Sequence, residues 1–419
     1  MGRANPVILA CDCVTPLGLA FEEQWPAALS GTSGIGPLTR FPLAEDFPVR
    51  IAGQVPDLDS LADQYDFLSP RHRAVWSSPV FSYSLLTVVR ALARADIEIT
   101  PRLAPRVAVT YSTAVGGLDA VLNADRRLRE ENRLPHPYAN PNSCINMVGG
   151  KIAIETGARG PTITTITACA TGLTSLLTGA MFVERGLADL VICGAVDFAL
   201  VEPIVAGFYT MNGVYIPKTG QEDEPPERAS RPFSRDRRGF VISEGAAAIL
   251  LASPAFATAH GLAPLAELAG WAMTSDAHHF VAPHQPTVER CMAGAIDDAG
   301  LSPADVDTVN AHAASTRVGD QVEHEALHGV FGGDVPPVTA NKSLIGHAMG
   351  ASSAIETVWA LLGLRDQILP PTINYRPEEG LEIDCVAGGA RRLNQEHVLK
   401  NSFGFGGCNS CAVFRGMAG

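Results

Sequence analysis

Residues 164–177 read TTITACATGLTSLL. The first residues are largely β-branched, as in a strand; the last are small residues and leucines, as in a packed helix. One cysteine, Cys169, stands at the join. A helix N-terminus presents unpaired N–H groups and the positive end of the helix dipole, and both favour a thiolate. Ala168, Ala170 and Gly172 leave room for a second molecule to reach the sulfur. Taken alone, the stretch fits a buried structural thiol as well as a nucleophile.

The same pattern recurs along the chain. Strand-like and helix-like segments alternate throughout, which predicts an α/β layered fold. Residues 88–117, VVRALARADIEITPRLAPRVAVTYSTAVGG, read as an amphipathic helix, a loop with Pro and a β-branched strand. Residues 291–320, CMAGAIDDAGLSPADVDTVNAHAASTRVGD, read the same way, with Ser302 placed to cap a turn that starts at Pro303. PTITTITA (161–168) predicts a strand before the helix near Cys169, and PVTANKSL (337–344) predicts one before a helix from about His347. This correspondence reads as an ancient duplication. It predicts a first half over 1–255 and a second over 256–419, with two helix N-termini near one pseudo-two-fold axis.

That axis gives Cys169 company. VNAHAAST ends an apolar strand at His312, and NKSLIGHAMGA sets His347 at a helix start. Each histidine alone fits a satisfied, partly buried imidazole. A thiolate flanked by two imidazoles suits acyl transfer followed by stabilisation of a carbanion or enolate. NSFGFGGCNS (401–410) adds three glycines around Phe405. It fits a tight loop into the last strand, or a mobile gate whose Phe405 N–H joins that of Cys169 in an oxyanion hole.

The bulk numbers narrow the class. The chain has 419 residues, is 46% hydrophobic and carries a net charge of −13, which suits a large core and disfavours nucleic-acid binding. An acidic partner could still meet Arg71 and Arg73, or Arg126, Arg127 and Arg129; ordinary solvated charge is the plainer reading. Nine irregularly spaced cysteines read as reduced thiols of a cytoplasmic protein. Cys408 and Cys411 form one C-x-x-C without a second pair, so no metal site is expected. No apolar run is long enough to span a membrane. The polar residues 217–240, PKTGQEDEPPERASRPFSRDRRGF, predict a loop.

Together these residues resemble the β-ketoacyl-acyl-carrier-protein synthases of the thiolase fold, of the elongating Cys-His-His type. GPTITTITACATG, RPFSRDRRGFVISEGA, NAHAASTRVGD, NKSLIGHAMGASSAIE and NSFGFGG match in order; CVTPLG, NMVGGKIAIETGARGP and MTSDAHH also fit. The resemblance spans essentially the whole chain. It implies duplicated halves in an α-β-α-β-α arrangement, with Cys169 as acyl acceptor. It implies that His312 and His347 assist malonyl decarboxylation, that Lys342 supports them with Glu323 as its partner, and that Phe405 is the gate. Val115, Tyr209, Asn212, Ser315 and Thr316 join Phe405 as expected pantetheine or substrate contacts. The implied substrates are phosphopantetheine-linked acyl and malonyl thioesters on an acyl carrier protein, with no tightly bound cofactor. A homodimer, or a heterodimer with a related subunit, is implied, and the apolar strand DLVICGAVDFAL (189–200) is a candidate for its interface.

The chain departs from the family pattern in places. Ala313 and Ala314 follow His312 where Gly-Thr is usual, which removes one hydrogen bond to the pantetheine arm, worth about 0.5–1.5 kcal/mol. Tyr209, Asn212, Ser352 and Ser353 suggest a polar or functionalised acyl chain and a polyketide or other specialised pathway. Two alternatives stay open: cyclisation or transfer of a preassembled chain without elongation, and a non-catalytic partner subunit of a synthase complex.

Overall fold

Nine strands join both predicted halves into one mixed sheet, in a computed structural model that describes residues 5–218 and 224–417. In chain order they are β1 (Val7–Val14), β2 (Val107–Ser112), β3 (Leu190–Phe198), β4 (Glu244–Ala252) and β5 (Ala266–Ser275), then β6 (Thr308–Asn310), β7 (Val338–Thr339), β8 (His397–Gly404) and β9 (Cys408–Gly416). Their spatial order is β2-β3-β4-β1-β5-β9-β8-β6-β7. Apart from the short β7, the succession of parallel and antiparallel pairings reads the same in both directions from β1–β5. β2 and β3 are parallel, as are β6 and β8; β3–β4 and β4–β1 are antiparallel, as are β8–β9 and β9–β5. The halves meet where β1 and β5 share the pairs Val7–Glu267 and Ile8–Ala266. The duplication read from the sequence is therefore present as a pseudo-two-fold in the strand order.

Helices cover both faces, which is why β1, β2, β3 and β4 are buried along their whole length rather than at alternate residues. α1 (Pro79–Arg94) packs on β1, β3 and β4, and α3 (Gln285–Asp298) packs on β5, β8 and β9. Between the two halves lie α2 (Thr171–Glu184) and α5 (Met349–Asp366), which touch each other and strands of both halves. α4 (Arg317–Phe331) packs on α3. This is the α-β-α-β-α stacking expected, with the two sheets continuous through β1 and β5. Every residue of α5 from Met349 to Leu364 is buried, as a central-layer helix requires. Ser302 and Asp305 form the expected capping box over the turn Pro303–Asp305.

Two expectations are corrected. Residues 161–168 do not form a strand; they run beside β2 with a single bridge, Thr162 to Val109, and leave Ile163 and Ile166 about half exposed. β2 is the sheet's edge, so this segment lacks a partner on its outer side. DLVICGAVDFAL is not placed at an interface, because β3 lies between β2 and β4 with all nine residues buried. The polar stretch 217–240 is a loop, as predicted, and part of it packs inward. Its part 219–223 lies outside the described residues, but Arg231, Phe233 and Arg237 are buried. Arg231 pairs with Glu224 and Asp236, and Arg237 donates to the carbonyls of Thr316 and Arg317. Among the described residues no helix is long and apolar enough to cross a membrane.

The site depends on how closely α2 and α5 cross. A Cβ on Gly172 would lie 2.5 Å from the Ala354 backbone nitrogen, and one on Gly350 would lie 2.8 Å from the Thr171 Cβ. Glycine at both positions lets the two helix N-termini converge. Ser353 fixes the crossing: its Oγ accepts from the Leu173 N–H, 3.1 Å, and donates to the Gly350 carbonyl, 3.0 Å. Gly172→Val is expected to cost at least the ~1–3 kcal/mol of an overpacked core, because backbone must move. Its apparent Tm should fall by several degrees and its cysteine reactivity should change. Gly150→Ala, in a helix where a Cβ meets nothing within 4 Å, should hold or raise Tm. Differential scanning fluorimetry of the two variants checks this.

Candidate active site

Cys169 sits in a short turn, Ala168–Ala170, that runs directly into α2. Ala168 adopts φ 49°, a left-handed conformation that reorients the chain from the extended segment into the helix. Gly404, at the end of β8, is backed against this turn; a Cβ there would lie 2.1 Å from the Thr167 carbonyl oxygen. The contact brings the Phe405 N–H to the sulfur, where it and the Cys169 N–H favour the thiolate. Burial works the other way and is larger: the thiol is pushed up to about 11, with Lys342 lowering it and Asp197 raising it.

His347 stands against the sulfur, Nε2 to Sγ 3.1 Å. Its Nδ1 lies 2.9 Å from Ser352 Oγ, which also accepts the Ala348 N–H at 2.7 Å. Nδ1 is the one acceptor the described residues offer the Ser352 hydroxyl proton, so the ring carries its hydrogen on Nε2 and points it at Cys169. Burial, then Lys342, holds His347 well below the usual imidazole range, so the ring is neutral. Ser352 and Ser353 were expected to make the acyl tunnel polar. Instead one orients His347 and the other ties α5 to α2.

His312 completes the cluster, its ring edge-on to His347 with centroids 5.8 Å apart. Its backbone N–H donates to Glu323 Oε1, 2.9 Å, and the next N–H, of Ala313, to Oε2, 2.7 Å. Its carbonyl accepts from Lys342 Nζ. Lys342 therefore does not pair with Glu323, as expected, but with Glu356, 2.5 Å. It lies fully buried behind His312 and holds that residue's backbone. Burial, then Lys342, His347 and Lys400, lowers the His312 pKa well below normal, so it too is neutral.

Asp197, at the end of β3, was not singled out in the sequence. It accepts from Thr113 Oγ1, the Ala114 and Val115 N–H groups, and the Ala351 N–H in the first turn of α5. One carboxylate thus joins the loop after β2 to the His347 helix. Burial raises its pKa to about 6. A carboxylate inside an otherwise apolar strand, CGAVDF, was the signal available.

Cys169, His312 and His347 open into one cavity of about 630 Å³. Val115, Asn212, Thr316 and Phe405 line it, along with Phe208, Phe240 and Ala314. Thr316 Oγ1 caps α4 by accepting the Gly319 N–H, 3.2 Å. Two expected contacts are elsewhere. Tyr209 packs among partly buried apolar residues outside the lining. Ser315 is fully buried and its Oγ accepts the Arg231 N–H, 3.0 Å. His279, Val281 and Pro283 also line the cavity, from the segment after β5. It is joined to the glycine loop by the Gly406 N–H, which donates to the Phe280 carbonyl, 2.8 Å.

Comparison with known proteins gives full-length matches. The family profile described as "Beta-ketoacyl synthase, N-terminal domain" matches residues 5–257, and "Beta-ketoacyl synthase, C-terminal domain" matches residues 265–376. A 3-oxoacyl-[acyl-carrier-protein] synthase 2 of Coxiella burnetii is 35% identical over 420 residues, 99% of each chain. AntDE:AntF, a type II PKS acyl-carrier protein in complex with its ketosynthase bound to the hexaketide, superposes with TM-score 0.87 at 26% identity over all of both chains. The ishigamide ketosynthase/chain length factor gives 0.88 at 26% identity, again over all of both.

Because burial outweighs the donors around Sγ, iodoacetamide labelling of Cys169 should keep accelerating from pH 7 to pH 10. A plateau near neutrality would instead show a resting thiolate. Ser352→Ala should slow labelling at fixed pH by about 2- to 12-fold, the worth of one ordinary hydrogen bond. Peptide mass spectrometry at Cys169 reads both.

Proposed function

The chain belongs to the β-ketoacyl synthase family, and from that premise we propose that it is an elongating ketosynthase acting on thioesters of an acyl carrier protein. The observation that carries the reading is the 3.1 Å contact between Cys169 Sγ and His347 Nε2, in one cavity with His312.

In the first half-reaction the Cys169 sulfur attacks the carrier thioester carbonyl. The oxyanion that forms lies against the N–H groups of Cys169 and Phe405. Its collapse expels the carrier thiol, which receives the proton that Cys169 gave up, and leaves an acyl-cysteine. Malonyl-carrier then enters by the same channel, its pantetheine arm meeting the Thr316 hydroxyl. The bond to its carboxylate breaks, CO2 leaves, and the electron pair becomes an enolate whose oxygen accepts from the two imidazoles. Neutral, N–H-bearing rings in a low-dielectric pocket suit that task. The enolate carbon attacks the acyl-cysteine carbonyl, Cys169 leaves as thiolate, and one proton from water restores the thiol. The product is a β-ketoacyl thioester two carbons longer. Lys342 and Glu323 act through His312 and are positioning residues in this scheme.

The carrier's acidic surface is proposed to meet the Arg71–Arg73 or Arg126–Arg129 side of the chain. A second subunit, identical or related, is proposed to cover Ile163 and Ile166 beside the sheet edge. The ketosynthase complexes that the fold matches, one loaded with a hexaketide, favour polyketide or specialised acyl synthesis. The nine cysteines, all unpaired, suit the reducing cytoplasm. The full Cys-His-His set disfavours a non-catalytic partner subunit.

Incubation with acyl-carrier should add one acyl group to the chain, and malonyl-carrier should then remove it with release of CO2 and a β-ketoacyl-carrier product. Cys169→Ala should not be acylated. His312→Ala should be acylated but should lose most of its decarboxylation, about 100-fold or more for a general-acid-type group. Intact-protein mass spectrometry reads acylation. Acylation without CO2 or a two-carbon gain would favour transfer or cyclisation instead.

A further inference from the structure

The scheme above leaves one buried cation unused. Lys400 lies in β8, one residue before the Asn-Ser-Phe-Gly segment that carries the gate. Its side chain is completely buried. Lys400 Nζ donates to Glu356 Oε2, 2.8 Å, and to the Asn401 carbonyl, 2.6 Å. Asn401 Nδ2 donates to Glu323 Oε1, 3.1 Å, the oxygen that accepts the His312 N–H. The other oxygen of Glu356 accepts from Lys342, which donates to the His312 carbonyl.

These contacts close on themselves. From Glu356 the path runs through Lys342 to the His312 carbonyl, passes along the His312 backbone to its N–H, and continues through Glu323, Asn401 and Lys400 back to Glu356. Glu356, Lys342, Glu323, Asn401 and Lys400 are each at most 1% exposed, and His312 joins the ring through its backbone. Two ammonium groups balance two carboxylates, so the ring meets the requirement that buried charge be paired. His312 alone of its members reaches the cavity. A closed polar network in a low dielectric holds its members more rigidly than isolated pairs do. Without Lys400, Glu356 would keep a single ammonium partner and the Asn401 carbonyl would lose the donor that joins it to Glu356.

We propose that Lys400 is a positioning residue for the malonyl half of the reaction, closing the hydrogen-bond ring that clamps His312 at both its N–H and its carbonyl. The inference rests on the ketosynthase reading. Cys169 and His347 lie outside the ring, so acyl transfer to the sulfur depends on Lys400 far less than enolate formation does. Lys400 also acts through its charge. The titratable groups around His312 are Lys342, His347, Lys400, Glu323 and Glu356, with Cys169 beyond His347. Lys400 opposes protonation of His312. Removing its charge lets His312 take up a proton at higher pH, so the acid-side loss of decarboxylation begins earlier as pH falls.

The test uses the full chain with acyl- and malonyl-carrier, comparing wild type, Lys400→Met and Lys400→Gln. Gln keeps a donor for Glu356 without the charge and carries the comparison if the Met chain does not fold. In a folded variant, malonyl decarboxylation should fall about 10- to 100-fold, the range for losing a hydrogen bond to a charged group. Acylation of Cys169 should fall much less, and the acid limb of the decarboxylation profile should move to higher pH in both variants. Wild-type decarboxylation with an unmoved acid limb would overturn the assignment. Equal loss in both half-reactions, or loss of fold in both variants, would mark a merely structural lysine and overturn it too. A wild-type chain that neither acylates nor releases CO2 would sink the ketosynthase reading instead.

Discussion

The close crossing of α2 and α5 is the constraint on which the rest depends. Two helices from different halves of the chain meet N-terminus to N-terminus because Gly172 and Gly350 carry no side chain at the contact. That approach sets a sulfur on one helix within hydrogen-bond reach of an imidazole just before the other. Each half alone holds part of the chemistry. The first provides Cys169 and Asp197, and the second both histidines and the glycine loop. The pseudo-two-fold strand order is what brings helices 178 residues apart to one point.

Around that point the protein uses burial and charge against each other. Desolvation keeps both imidazoles neutral and the thiol protonated at rest. Neutral rings can donate to a developing enolate without a permanent charge that would hold substrate carboxylate too tightly. Lys342, Lys400, Glu323 and Glu356 are set one layer back, hydrogen-bonded around His312, and none of the four lines the cavity. A buried ion network is weak evidence for stability, since apolar packing often does as well. Its value here lies in geometry, because a histidine held by its backbone leaves its ring free to face the cavity.

The cavity wall combines rigid and adaptable parts. Val115 is pinned by Asp197 through its N–H, and Thr316 by its cap on α4. Opposite them, the loop Phe405–Gly407 turns tightly between β8 and β9, with Gly406 and Gly407 in left-handed conformations that a side chain would strain. Gly407 packs on Asp276, and Gly406 bonds to Phe280, so the glycine loop and the segment after β5 are linked by backbone.

Much of this was legible in the chain itself. Periodicity marked the alternating elements, the repeated helix-loop-strand units marked the duplication, and three chemistry-bearing residues at matching junctions marked the site. These are local properties, written in spacing and side-chain type. What the sequence left open is non-local. Segment 161–168 has the composition of a strand, but it meets the edge strand β2 through a single bridge, and one bridge makes no ladder. Ser352 and Ser353 look like tunnel polarity until their hydroxyls are seen to face a ring nitrogen and a helix end. Glu323 is the partner expected for Lys342, and only packing shows Glu356 in that place. Lys400 and Asp197 read as isolated charges in apolar strands, and a buried charge implies a partner without naming it. Which partner it finds depends on which strands and helices the fold sets side by side.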